Sequence, residues 1–397
     1  MLNALILLVV VATGALLMWP KLANATLWRA AITPLASIIG SGFLVLGPIL
    51  NASFGAYAPL VMAILCGAAY LFGAAIRFNI WRLNNKGENR SPSERGLELA
   101  SAWSLAFAYI ISVAYYLNLL GAFAVSLTEV EGHIPAKLVT TATFAIILIV
   151  GWTRGFGALE RLEEVSVGIK LAIIAGLLFG LAVFFGKTAS AGNLVFSAAT
   201  VSGWQAVALV GGLLVTVQGF ETSRYLGAEY SAPTRIKSMK LAQGVSTAIY
   251  LVYILLLSFA FAPDALDLSE TAIIGLMEVV APILPILLIV AALSAQFSAA
   301  VADTGGAGGL VSELTGGRLA PRAGYVLLAV VGVALTWAAS VFEIISYVSR
   351  AFALYYAIQT LIAAKGAALK GQPVKAVGFV ALAGVAVAIV LFGASVE

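Results

Sequence analysis

The 397-residue chain has one cysteine, Cys66, one histidine, His133, and only 10% charged residues. The lone cysteine excludes an internal disulfide framework and any multi-cysteine metal site. The lone histidine argues against a histidine-built metal centre or a Ser-His-Asp triad. HExxH, GxSxG and paired intramembrane aspartates are also missing, so catalysis within a membrane is the least favoured reading. No metal and no cofactor is expected. A soluble domain is roughly 45–50% apolar and about 25% charged. At 62% hydrophobic, this chain is neither an ordinary soluble protein nor a disordered one. The excess of 22 Lys and Arg over 18 Asp and Glu is too small to mark a nucleic-acid partner.

What the chain does have is apolar sequence in helix-length pieces. A helix needs about 20 mostly apolar residues to cross a bilayer. Twelve such segments can be read: 2–19, 30–50, 56–77, 99–127, 138–153, 165–186, 204–227, 241–262, 283–303, 323–341, 343–364 and 376–396. The fold class is therefore an all-α polytopic membrane protein, with the lipid bilayer as its first partner. Lys and Arg mark the cytoplasmic loops of such proteins. Alternate loops carry seventeen of these residues, the opposite loops only Lys137 and Lys187, and Lys170, Arg224 and Arg350 lie inside segments. This split predicts a multi-pass protein of the cell (inner) membrane with both termini outside. Ala23-Asn24-Ala25 looks like a signal-peptide cleavage site. No basic residue precedes the apolar core, however, and cleavage would invert every later loop, so the first segment is read as retained.

Two segments carry helix-weakening clusters, Ile39-Gly40-Ser41-Gly42 in the second and Gln218-Gly219-Phe220 in the seventh. Glycine weakens a helix by about 1 kcal/mol relative to alanine. Unwound backbone survives in lipid only where it is buried or lines a cavity. Close helix packing through small residues is the plain alternative. With the first segment set aside, the two clusters open two five-helix halves of opposite topology. Matched broken helices in inverted halves point to a transport site. The expected division is an extra N-terminal helix and linker at 1–29, repeats at 30–187 and 188–364, and a C-terminal helix at 365–397.

Ionisable side chains inside spans default to functional candidates. Lys170 could exchange a proton, or could snorkel to the headgroups. Glu221 and Arg224, three apart on one helix face, could form a structural pair. Alternatively Glu221 orders the unwound segment and Arg224 closes the inner path. Arg350 could face the outer vestibule or pair with Glu343. Asp303 stands beside Gly305-Gly306-Ala307-Gly308-Gly309, a run expected to let the chain leave the membrane along its inner surface. His133 has no assigned role.

Ser37-Ile38-Ile39-Gly40-Ser41-Gly42-Phe43 resembles the first-helix motif of the amino acid–polyamine–organocation (APC) transporters. Gly219-Phe220-Glu221 with Ala228-Glu229 and Ala232-Pro233-Thr234-Arg235 resembles their sixth helix and the run after it. Gly155-Phe156-Gly157 through Glu164 to Lys170 resembles their fifth helix and the loop before it. Ala292-Leu293-Ser294-Ala295 through Leu319-Ala320-Pro321-Arg322 resembles the eighth helix and its loop. The likeness covers about 30–364 in consistent order. The chain departs in its extra first span, in Ala228-Glu229-Tyr230 where paired glutamates are common, and in Thr216 and Gln218 where aromatics are frequent.

The resemblance implies a LeuT-type five-plus-five inverted repeat, with one extra helix at each end. It implies secondary active transport of an amino acid or related small zwitterion by alternating access, either proton-coupled or by exchange. The amides of Gly40, Ser41 and Gly42 are then expected to bind the substrate carboxylate. Carbonyls around Ile38, Ile39, Gln218, Gly219 and Phe220 would bind its ammonium, and Tyr109 on the site-lining fourth segment would touch it. A fifth-helix lysine stands in for a sodium ion in some members, which gives Lys170 the coupling role. Glu221, Arg224 and Arg350 are the gating candidates. An inorganic-ion transporter on the same fold, or a ligand sensor without flux, remains the alternative.

Overall fold

The computed structural model describes the chain except for residues 41, 87–90, 127, 129–132, 154–156, 263–268 and 396–397, and except for the side chains of 85–86, 157–165 and 228. Ser41 and the Gly155-Phe156 part of the fifth-helix motif therefore lie outside the described residues. The described residues form helices and no strands: α1 (Leu2–Leu17), α2 (Pro20–Ala23), α3 (Thr26–Ile38), α4 (Gly42–Phe54), α5 (Ala58–Lys86), α6 (Pro92–Val125), α7 (His133–Thr153), α8 (Gly157–Ser190), α9 (Gly203–Gly212), α10 (Ala232–Ala260), α11 (Ala272–Val280), α12 (Leu284–Leu314), α13 (Pro321–Ala338), α14 (Val341–Ala368) and α15 (Pro373–Phe392). Nine helical stretches among the described residues are long and apolar enough to cross a membrane. At 16 residues, α1 is shorter.

Each of the twelve apolar segments has a structural counterpart. The second is two half-helices, α3 and α4. The seventh is α9 followed by short 3₁₀ turns at Leu214–Val217, Phe220–Arg224 and Leu226–Ala228. The sequence reading did not anticipate α11. It is too short to span, and it buries Ile273, Leu276, Met277 and Val280, one face at helical spacing, against α4, α8 and α12. A second difference is the length of α5. It continues to Lys86, so Arg77 and Arg82 stand on a helix rather than in a loop.

The centre of the fold is α6, packed against α12, α14, α7 and α13. It is enclosed because its middle alternates large rings with small residues, and Ser104 through Leu120 are nearly all buried. The rim helices α7, α13 and α15 expose Ile146, Ile149, Val330, Val377 and Leu391 instead, as a lipid-facing surface requires. Both α6 and α14 start with a capping box, Ser91 with Glu94 and Ser340 with Glu343. Glu343 is thereby committed to its own helix.

The glycine-rich run at 305–309 does not interrupt the helix, because α12 continues through it to Leu314. Two of its glycines serve close packing, Gly306 against Tyr109 and Gly308 against α13. A Cβ added at Gly308 would lie 2.2 Å from the Tyr325 ring, and one at Gly324 would lie 2.9 Å from the Gly308 Cα. Small residues let helices in lipid approach this closely. Gly308→Val should therefore part α12 from α13 and destabilise the fold by about 1–3 kcal/mol. Thermal unfolding in detergent measures it, with Gly309→Ala, whose added Cβ meets nothing within 4 Å, as the neutral control.

Candidate functional site at two helix breaks

The two breaks meet. At the first, α3 ends at Ile38, and Ile39 takes a non-helical backbone with φ −85° and ψ 58°. At the second, Gln218 is extended and Gly219 is left-handed with φ 117°. A Cβ on Gly42 would lie 2.8 Å from the Thr216 Cα, and one on Gly219 would lie 2.4 Å from the Ser37 Oγ. Each glycine is thus where a main chain passes against the other break. At Gly42 and Gly219 the two breaks lie main chain against main chain, and are not merely soft points in two helices.

Unwinding frees backbone groups that need partners, and neighbouring helices supply them. From α10, the Tyr250 hydroxyl lies 3.0 Å from the Ile38 carbonyl oxygen and 2.6 Å from that of Thr216, one hydrogen shared between the breaks. From α14, the Ser349 hydroxyl donates to the Gly212 carbonyl at 2.6 Å and accepts from the Val215 N–H at 2.9 Å. The Glu221 carboxylate folds back so that its Oε2 accepts from the Gly219 N–H at 3.0 Å and from the Tyr356 hydroxyl at 2.9 Å. Glu221 is fully buried, and these bonds tie it to the start of the 3₁₀ turn.

Lys170 on α8 is buried, and its ammonium donates to the Ala36 carbonyl at 2.8 Å. The side chain turns inward to the last turn of α3 rather than snorkelling to headgroups. That place suits a cation, because the end of a helix concentrates unpaired carbonyls and partial negative charge. Beside it a small cavity, with room for little more than one water-sized group, is lined by Gly40, Phe43, Ala292 and Gln296. Neither amide atom of the fully buried Gln296 has a hydrogen-bond partner among the described residues.

Tyr109 and Tyr116 share the expected face of α6, but their positions differ in kind. Tyr116 reaches the second break, where the Gln218 Nε2 donates to its hydroxyl at 3.3 Å. Tyr109 packs edge-on to Phe352 at 6.1 Å and lies over Gly306. Phe220 stacks on Tyr356 at 5.3 Å, which in turn stacks on Phe72 at 5.1 Å. Asp303 belongs in this core. It accepts from the Ser112 hydroxyl in the interior and is buried.

Glu221 and Arg224 do not pair. The 3₁₀ turn of Phe220–Arg224 keeps residues three apart on one face, but the Glu221 carboxylate is taken by the Gly219 N–H and the Tyr356 hydroxyl. Arg224 instead meets Glu98 of α6 at 2.6 Å and the Gln359 Oε1 of α14 at 2.9 Å. Gln359 extends the net to Ser101 and to Asn79 of α5. A second pair, Arg82 with Glu94 at 2.5 Å, ties α5 to α6. Removing one member of a buried pair strands the other, at a cost of about 3–5 kcal/mol. Arg224→Ala should show that loss in thermal unfolding, and Arg224→Met with Glu98→Gln should recover most of it.

Arg350 does not pair with Glu343 either. Its Nε donates to the Gly393 carbonyl at 2.8 Å, and so clamps the end of α15 onto α14. Gln296, Tyr250, Ser349, Asp303 and Glu98 were not singled out as site residues from sequence. The signal available for most of them was an uncharged polar side chain inside an apolar run.

Three comparisons agree with this geometry. Residues 20–393 match a family model described as APC superfamily transporter. A protein of uncharacterized function from Aquifex aeolicus (strain VF5) is 44% identical over 386 residues, 95% of this chain and 93% of its own. The solved structure of a Na+-coupled sialic acid symporter, in a substrate-bound outward-open state, aligns with all of this chain and 97% of its own at a TM-score of 0.57 and 14% identity. That likeness is one of fold, the LeuT type implied by the motifs. The chain belongs to the APC superfamily of transporters.

Proposed function

We propose that this protein is a secondary active transporter of amino acids or related small zwitterions, working by alternating access and coupled to protons through Lys170. The observation that carries the reading is the Lys170 ammonium bonded to the Ala36 carbonyl at 2.8 Å, beside two breaks that touch each other. The free N–H groups at the start of α4 suit a carboxylate, and the carbonyls closing α3 and preceding Gly219 suit an ammonium. Protonated Lys170 holds the end of α3 against α8. Once neutral, it loses the charge that favours that carbonyl end, and the half-helix is released to swing.

The inner ends of α5, α6 and α14, joined through Arg224, Glu98 and Gln359, act as the inner gate. Arg350 holds α15 and takes no part in gating. The test is a thermal-shift screen of the amino acids, polyamines and small organic acids on the purified protein. A ligand at about 100 times its Kd stabilises by about 2.7 kcal/mol. An amino acid that raises the melting temperature and exchanges across proteoliposomes supports the reading. Binding without flux assigns a sensor, and ion currents with no organic ligand assign an ion transporter.

A further inference from the structure

Helices α1 and α8 touch at one end and part at the other. Ile6 and Val10 fill the notches at Gly180 and Gly176, where an added Cβ would come within 3.1 Å of Ile6 and 2.5 Å of Val10. Beyond them a groove of about 610 Å³ opens between α1, α2, α3 and α8. Its size falls in the range of about 300–1,000 Å³ typical of ligand pockets. Leu17, Met18, Ile32, Val167 and Leu171 make its walls apolar.

One charged side chain lines the groove, the exposed Arg29, with Trp28 beside it. Both stand in the first turn of α3, at the end where α1 gives way to α2. The exposed Lys21 of α2 lies close by in the chain. A narrow apolar trough with an indole and cations at one end reproduces the profile of a single lipid. The trough matches an acyl chain, the tryptophan matches the interface, and the cations match a phosphate.

We propose that this groove binds one anionic phospholipid, with an acyl chain between α1 and α8 and its phosphate on Arg29, in the leaflet facing the positive loops. A second copy of the chain is the poorer occupant. Helix α1 carries no acidic residue, so self-association there would bury Arg29 without a counter-charge. The bound lipid touches Val167, Ile169, Leu171 and Ile173 on α8 and Ile32 on α3. These flank the bond between Lys170 and Ala36, so an occupied groove steadies that contact.

Native mass spectrometry of the full chain, after equilibration with equal phosphatidylglycerol and phosphatidylcholine, tests the site. The wild type should retain one phosphatidylglycerol with a preference of about tenfold, because both headgroups offer Arg29 a phosphate but only in phosphatidylcholine does a choline cation cancel its charge. Arg29→Ala should bring the preference near parity. At Gly168 an added Cβ meets nothing within 4 Å, so Gly168→Leu fills the groove without disturbing the fold and should release the lipid whatever its headgroup. The proposal is overturned by a wild type with no headgroup preference, by an unchanged preference in Arg29→Ala, or by Gly168→Leu retaining the lipid. Leu17→Cys copies that cross-link to one another with lipid displaced would overturn it as well.

Discussion

Lys170→Ala abolishes uptake driven by a pH gradient, while exchange of substrate across a membrane without a gradient persists. The argument rests on where the ammonium sits. It is buried, and it donates to a carbonyl in the last turn of α3, immediately before the chain unwinds. An ammonium supplies three donors and a charge, and losing a proton removes the charge. Because the partner is backbone at the break, the proposed mechanism links protonation to the position of the half-helix.

Lys170→Arg separates charge from proton exchange, since a guanidinium stays protonated at any working pH. That variant should fold and bind substrate yet fail to respond to a pH gradient. Uptake by both variants is measured in proteoliposomes with the membrane potential clamped. Undiminished proton-driven accumulation in Lys170→Ala removes Lys170 from the coupling mechanism.

Gly219→Ala eliminates transport and lowers stability by about 1–3 kcal/mol through overpacking at the meeting of the breaks. Two costs act together. The φ of 117° lies in a region that side-chain-bearing residues rarely adopt, and the new Cβ would lie 2.6 Å from the carbonyl carbon of Ser37, which is backbone and cannot rotate away. The chain would answer by displacing the start of the 3₁₀ turn, which also moves Glu221 off the Gly219 N–H. Gly244→Ala on α10 is the matched control, because nothing lies within 4 Å of its added Cβ. Normal uptake in Gly219→Ala, with unaltered melting, would show that the two breaks need not touch.

The parts of this molecule legible in its sequence were those written in composition and period. Each of the twelve apolar segments corresponds to a helix or a broken helix. The Gly-Ser-Gly and Gln-Gly-Phe clusters gave the two breaks, because glycine among apolar residues is conspicuous. What stayed hidden depends on rotation about helix axes. Spacing placed Glu221 and Arg224 on one face, but each finds a stronger partner elsewhere, Glu221 the freed Gly219 N–H and Arg224 the distant Glu98. Glycine composition alone made the run at 305–309 look like an exit, yet α12 stays helical through it, and Gly308 lets it pack closely on α13. Tyr250 showed only a hydroxyl inside an apolar run. Its importance comes from two carbonyls that no sequence pattern brings together.

The most direct test of the account is accumulation of a labelled amino acid in proteoliposomes under an inward proton gradient, with sodium absent and the membrane potential clamped. The account predicts accumulation above equilibrium that collapses on adding a protonophore. Accumulation that requires a sodium gradient and ignores the proton gradient, or no amino acid uptake under either, would contradict it.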